Sequence, residues 1–417
     1  MSQRTFVQKK VLRPLRRLLY DYADLGADDR SALPDSPVFA FDLSLRWDRY
    51  HFHLLNSLVD RQHPGVVLRR ISRRDFGWRF DRYGDETLRW PGLVLGQGRI
   101  RLRPEQRAAA TLVTDRPLPA RKAAAWGRVV TVRTDLASLP PSGPWLKLPF
   151  GPHPHQLPYL TADHLSAHRR RSHRAAVLFA GNATAGYGRD TGPLAPLIAR
   201  FGLIHRLQAL QIARETFGTD LVTIRTAEDE VRVFGPAVDP TALPTEELEQ
   251  TQFASDPPPL AQKGAESRLD RAAFAETPSG AVPFALADAQ HRRFEFARWF
   301  QRIAQSTAFL ALPGLRMPHC HNVTEAMSVG TVPIIQYGAW LDPPLTDGET
   351  AICFHDEASL RDALRRPASL SATDRTALRT AVTDYYDRFL DPRSIRRQIL
   401  AAPRELTVFL NTSTVAQ

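Results

Sequence analysis

Short apolar runs bounded by turn-forming residues alternate along this chain with longer segments in which apolar positions recur every three to four residues. Runs of the first kind read as buried strands and those of the second as amphipathic helices, so the alternation predicts parallel sheets with helical crossovers. In the first half, PVFAFD (37–42), GVVLRRI (65–71), TLVTD (111–115) and GRVVTVRTD (127–135) read as strands, and RWDRYHFHLLNSLVD (46–60) as a helix burying Trp47, Leu54, Leu55 and Leu58. Stretch 81–104, broken by Gly and Pro, reads as an inserted hairpin or loop. The prolines of WLKLPFGPHPHQLPYL (145–160) predict an extended crossing between domains, with a boundary near residue 165.

After the basic cluster HRRRSHR, the strands are AAVLFAG (175–181), LVTIR (221–225), TAFLALP (307–313), VPIIQ (332–336) and AICF (351–354). Helices are expected over 193–217, 288–305, 357–366 and 372–389, and stretch 235–283, rich in Pro, Ala, Glu and Ser, as a long irregular insertion. The expected class is α/β, with domains at 1–165 and 166–390 and a tail, 391–417, free to return to the first domain.

Composition narrows the partners. The 417 residues, 43% of them hydrophobic, suffice for two cores. A formal charge of +11 calls for an anionic partner: nucleic acid, an acidic membrane face or a phosphorylated small molecule. Cys320 and Cys353 are the two cysteines, too few for a disulfide framework, and are expected as free thiols in a reducing compartment. No run of eighteen apolar residues and no leader-like N-terminal core occur, so a cytoplasmic location is expected. Lys9, Lys10, Arg13, Arg16 and Arg17 lie among Val11, Leu12, Leu15, Leu18 and Leu19. That pattern suits either peripheral docking on an anionic inner membrane face or a solvated basic helix packing its leucines on the body.

The richest chemistry lies in ALPGLRMPHCHNVTEAMSVGTVPIIQ (311–336). Beyond the carboxyl end of a parallel strand, a helix N-terminus offers unpaired N–H groups and partial positive charge to an anionic ligand. Arg316 supplies a fork of donors to phosphate, Asn322 is expected to cap a helix starting at Val323, and Glu325 in its first turn can accept hydrogen bonds from a ribose diol. His321 joins this loop, which reads as a nucleoside diphosphate seat. The plainer alternatives are a solvated arginine and a glutamate complementing the helix dipole. His319, Cys320 and His321 are consecutive, and no second pair stands at zinc-like spacing, so no metal site is expected.

The run TEAMSVGTVPII resembles the donor-binding signature of GT-B glycosyltransferases. The order LPFGPHPH, a basic stretch, VLFAGN, then FLALPGLRMPHCHNVTEAMSVGTVPIIQYGAWLDPP is similar to the exostosin-like family over about residues 145–365. The resemblance implies two Rossmann-like domains facing across a cleft (GT-B), with the nucleotide-sugar donor on the second and the acceptor on the first. Carried over by position, Glu325 matches the ribose-binding glutamate, Arg316 the diphosphate loop, and Gly181 and Asn182 the turn after the first donor-domain strand. Arg189 is a further phosphate candidate, and Tyr337 and Gly338 are expected to face the sugar. No D-x-D triplet occurs, which agrees with metal-independent transfer and no resident cofactor. An inverting transfer needs a base near the acceptor hydroxyl. Asp42 and His51 are the leading candidates, followed by His53 and Asp115.

The implied activity is a glycosyltransferase moving sugar from a nucleotide-sugar donor to a glycan or lipid-linked acceptor, as in polysaccharide biosynthesis. Two other classes compete: a basic nucleic-acid-binding protein and an inactive GT-B-like partner subunit. Against the first, the basic residues are dispersed, and neither a zinc finger nor a stacking face is present.

Overall fold

The computed structural model describes residues 37–43, 48–69, 92–96, 100–135, 144–148, 151–152, 156, 159–183, 195–236, 281–314 and 320–412. The basic N-terminal segment, Arg189, Arg316, His319 and most of the expected insertion lie outside these residues. The described strands form two parallel sheets, the architecture of two Rossmann-like domains.

The first sheet holds β1 (Phe39–Asp42), β2 (Gly65–Val67), β3 (Leu93–Leu95), β4 (Thr111–Thr114), β5 (Arg128–Asp135), β6 (Trp145–Leu148) and the C-terminal β13 (Glu405–Thr412). Their order is β3-β2-β1-β4-β5-β13-β6. Side chains alternate across β1: Phe39 and Phe41 enter one core cluster and Ala40 the other. Two of the sequence expectations are corrected here. Within 81–104, LVL is the parallel edge strand β3 rather than part of a hairpin, and WLKL is the edge strand β6 rather than an extended crossing. The helices flanking this sheet are α1 (Asp48–Leu58), α2 (Pro104–Ala109) and α3 (Ala120–Ala123).

The second sheet holds β7 (Ala175–Gly181), β8 (Leu221–Thr223), β9 (Val282–Asp288), β10 (Ser306–Ala311), β11 (Val332–Ile335) and β12 (Ile352–Cys353), in the order β12-β11-β10-β7-β9-β8. Its helices are α4 (Ala162–Arg169), α5 (Ala195–Phe201), α6 (Arg206–Phe217), α7 (Ala227–Phe234), α8 (Phe296–Ala304), α9 (His321–Ser328), α10 (Glu357–Ser369) and α11 (Ala372–Tyr385). The single helix expected over 193–217 is two. Gly202 takes φ +60, and Ile204 N leaves the helical pattern to donate to Gln336 Oε1 at 2.7 Å. The helix expected over 288–305 begins only at Phe296, and the strand β9 precedes it inside the stretch read as irregular. Pro283 and Pro333 are tolerated within strands because β8 joins β9 only at Phe284 and β12 joins β11 only at Ile334, so each proline precedes the second ladder.

A buried clasp closes this domain beside β9. Glu230 on α7 accepts from Arg302 Nε at 2.8 Å and from Arg292 Nη2 at 2.7 Å. Gln305 Nε2 adds a bond to Phe234 O at 2.9 Å.

After α11, a π-helical turn (Tyr386–Leu390) leads through α12 (Pro392–Ala401) to β13, which inserts between β5 and β6. Ile395, Ile399, Leu406, Val408 and Leu410 pack with Leu54, Leu55 and Leu58 of α1 in one cluster, and Arg396 Nη2 pairs with Asp60 Oδ2 at 2.7 Å. The C-terminal end of the chain is thus part of the core built by its N-terminal half.

Candidate functional site

In each sheet the connections from two neighbouring strands run to opposite sides at one point, between β1 and β4 in the first and between β7 and β10 in the second. Loops leaving the carboxyl ends of such strands diverge to opposite faces and open a crevice, which makes these two points the natural ligand positions.

At the first, Asp42 ends β1 in register with Thr114 of β4, and Thr114 Oγ1 donates to Asp42 O at 3.3 Å. Asp115 follows directly, within electrostatic reach of His51 on the second turn of α1. The structure therefore draws Asp42, His51 and Asp115 together. His51 is fully buried, and burial pushes its ring down to about 4 against the opposing pull of Asp115. Neither ring nitrogen has a partner among the described residues. Asp42 is half-buried and remains the more accessible of the two. His53 packs under the loop after β6: a methyl at Gly151 would lie 1.6 Å from His53 Nε2, so only glycine passes there.

At the second point the convergence is tighter. Gly181 and Asn182 leave β7, Pro313 leaves β10, and Cys320 stands at the N-terminus of α9. All of these meet Arg206, the first residue of α6, which sequence reasoning missed. Its Nη1 donates to Asn182 O at 2.7 Å, its Nη2 donates to Pro313 O at 3.0 Å, and Nη2 also reaches Cys320 Sγ at 3.7 Å. Its guanidinium carbon lies 5.7 Å from the centre of the Phe179 ring. The N-termini of α6 and α9 thus converge on a guanidinium that is only 4% exposed. Once the helix start is known, an arginine there opposes the macrodipole, which is unusual unless a tertiary partner holds it, but the single helix expected over 193–217 hid that start.

Three expectations for α9 are revised. The helix starts at His321 with Cys320 as its N-cap, so Asn322 is not the cap. Asn322 lies in the first turn, buried, with Oδ1 unpartnered among the described residues. Glu325 is the fifth helical residue rather than a first-turn one, and its side chain is 0% exposed. Its Oε2 accepts from Trp299 Nε1 at 2.6 Å and lies 3.9 Å from His321 Nε2. Tyr337 does not face a cleft. It is core, its hydroxyl donating to Ala311 O at 3.1 Å, and Gly338 is buried against Leu345 and Ile335.

The carboxyl ends of the two sheets come within electrostatic range of each other. Lys147, buried in the carboxyl half of β6, is pushed down to about 8 by burial, while Asp342, beyond β11, pulls it up. Within the second domain, Tyr385 donates its hydroxyl to Pro343 O. Among the described residues no group of His, Cys, Asp and Glu is placed to hold a metal ion, and no helix is long and apolar enough to cross a membrane. No protein-family model matches the chain, and no curated protein matches it.

Proposed function

We propose that the chain is a glycosyltransferase of GT-B arrangement, similar to the exostosin-like family, moving a sugar from a nucleotide-sugar donor to a glycan or lipid-linked acceptor. The observation that carries this reading is the convergence of the β7 turn, the β10 loop and the N-termini of α6 and α9 on Arg206. A diphosphate there would meet the first turn of α9, which has no side-chain cap, together with two helix dipoles and the field of a buried guanidinium, the features that favour a departing nucleoside diphosphate. The acceptor then belongs at the first sheet's switch point, where Asp42 is the accessible carboxylate for deprotonating its hydroxyl and His51 lies buried behind it. The electrostatic pull of Asp342 on Lys147 supports a cleft in which the two carboxyl ends face each other. In this reading the transfer uses no metal, and the basic segment within residues 1–20 adds affinity for an anionic membrane at the cytoplasmic face.

The test is a screen of common nucleotide sugars for slow hydrolysis by the purified chain, read as released nucleoside diphosphate. One donor hydrolysed well above the others supports the reading. Hydrolysis of none, with salt-sensitive retention on DNA, favours a nucleic-acid-binding protein instead.

A further inference from the structure

Glu325 is the residue that the family resemblance would place on the ribose, yet its carboxylate is wholly buried and already holds the Trp299 indole at 2.6 Å. An acceptor this close to an indole N–H is held in place, so the indole fixes that oxygen. The same Oε2 lies 3.9 Å from Nε2 of His321, one helical turn nearer the crevice, and His321 is 27% exposed. In the exposed direction, then, α9 presents an imidazole with a carboxylate behind it.

We propose that His321 is the side chain of α9 that meets the diphosphate, and that Glu325, held by Trp299, is a positioning residue that keeps this imidazole oriented and basic. The proposal rests on the glycosyltransferase reading. Its physical content is a balance of charges. A histidine at the first position of a helix faces the positive end of the dipole, which disfavours the imidazolium. Arg206 on α6, reaching the adjacent Cys320, adds to that. Glu325 opposes both from within ion-pair distance. Most other charged groups on the elements packed against α9 hold partners of their own, Asp384 of α11, beside Asp387, being an exception. On α8, Arg298 pairs with Glu295 and Arg302 with Glu230. At the far end of the helix, Arg169 binds Asp387 and Ser328 O, and Arg379 of α11 binds Arg169 O. An arriving diphosphate tips the balance, and His321 takes up a proton from solvent as the anion binds.

Two measurements on the full chain test this. The first is calorimetry of UDP and GDP binding from pH 5.5 to 8 in buffers of different ionisation enthalpy, for the wild type, His321→Gln and Glu325→Gln. The second follows histidine ring titration by NMR, with the His321 signal assigned by its loss in His321→Gln. Expected are proton uptake on binding by the wild type, none by His321→Gln with about tenfold weaker affinity, and a His321 midpoint lower by about one pH unit in Glu325→Gln. A carboxylate that only stabilises the helix would lower the melting temperature of Glu325→Gln and leave the midpoint in place, which overturns the proposal. Binding that is independent of pH and unchanged in His321→Gln overturns it while the nucleotide reading survives. Absence of binding to UDP and GDP, and to ADP and CDP as well, removes the two together.

Discussion

Arg206 Nη1 donates to the carbonyl of Asn182 at 2.7 Å, and its second terminal nitrogen bridges to Pro313 O, so one side chain ties the loop after β7 to the loop after β10. The tie spans the gap between β7 and β10, where the connections of the second sheet diverge. It fixes the two loops and sets a buried positive charge between them.

Arg206→Met keeps an apolar stem of similar length and removes both bonds and the charge. Hydrogen bonds from charged donors are worth about 1.5–3 kcal/mol, so stability should fall by about that amount, and nucleoside diphosphate affinity by tenfold or more. Thermal unfolding and calorimetry on one preparation check both. Lost stability with intact affinity would make Arg206 a loop tie only.

The clasp at Glu230 gives a stability prediction independent of any ligand. Its carboxylate is buried between Arg302 and Arg292, which together hold it below the usual carboxylate range against the cost of burial. Glu230→Gln leaves the buried Arg302 without its counter-charge and should cost about 3–5 kcal/mol. Denaturant unfolding measures it, and a loss under about 1 kcal/mol would show that the clasp is not needed.

Histidine burial predicts acid sensitivity. Burial depresses His51 to about 4 and His168 to about 3, and holds His173 well below its ordinary value of 6.5. The unfolded chain therefore binds protons from about pH 6.5 downward while the fold does not. Stability is full above that pH and is lost as pH falls through 6.5 toward 4. Each such histidine contributes up to about 1.4 kcal/mol per pH unit in that window. Urea unfolding at pH 7, 6 and 5 should show the decline, with a smaller slope in His168→Gln. A flat profile would contradict it.

Removing residues 405–417 takes β13 from between β5 and β6 and strips Leu406, Val408 and Leu410 from the first core. Each buried aliphatic side chain is worth about 1.5–3 kcal/mol, so the first domain should not survive. Limited proteolysis is expected to degrade residues 37–148 of the truncated chain while the second domain persists. Equal resistance of both domains would refute this.

Much of this architecture was legible from local pattern, and the exceptions have physical causes. FAFD, AAVLFAG and TAFLA are continuous apolar runs because parallel strands are covered on both faces. LVL in β3 is three residues long and only half-buried at a sheet edge, and WLKL carries a lysine, Lys147, that is buried only in the folded chain. VPFALAD was hidden by its proline, harmless only because β8 joins one residue later. For the site, Gly181, Asn182 and the start of α9 fell at the carboxyl end as the pattern implied. The burial of Glu325 did not show, because Trp299 lies 26 positions upstream and on a different helix. Arg206 owes its role to partners 24 and 107 positions away, which no periodicity records.

The central claim is that the carboxyl end of the second sheet seats a nucleoside diphosphate. Isothermal calorimetry of the intact chain with UDP, GDP, ADP and CDP tests it most directly. The account predicts saturable one-to-one binding of at least one of them, weakened tenfold or more in Arg206→Met. No heat of binding from any of the four at millimolar concentration would contradict it.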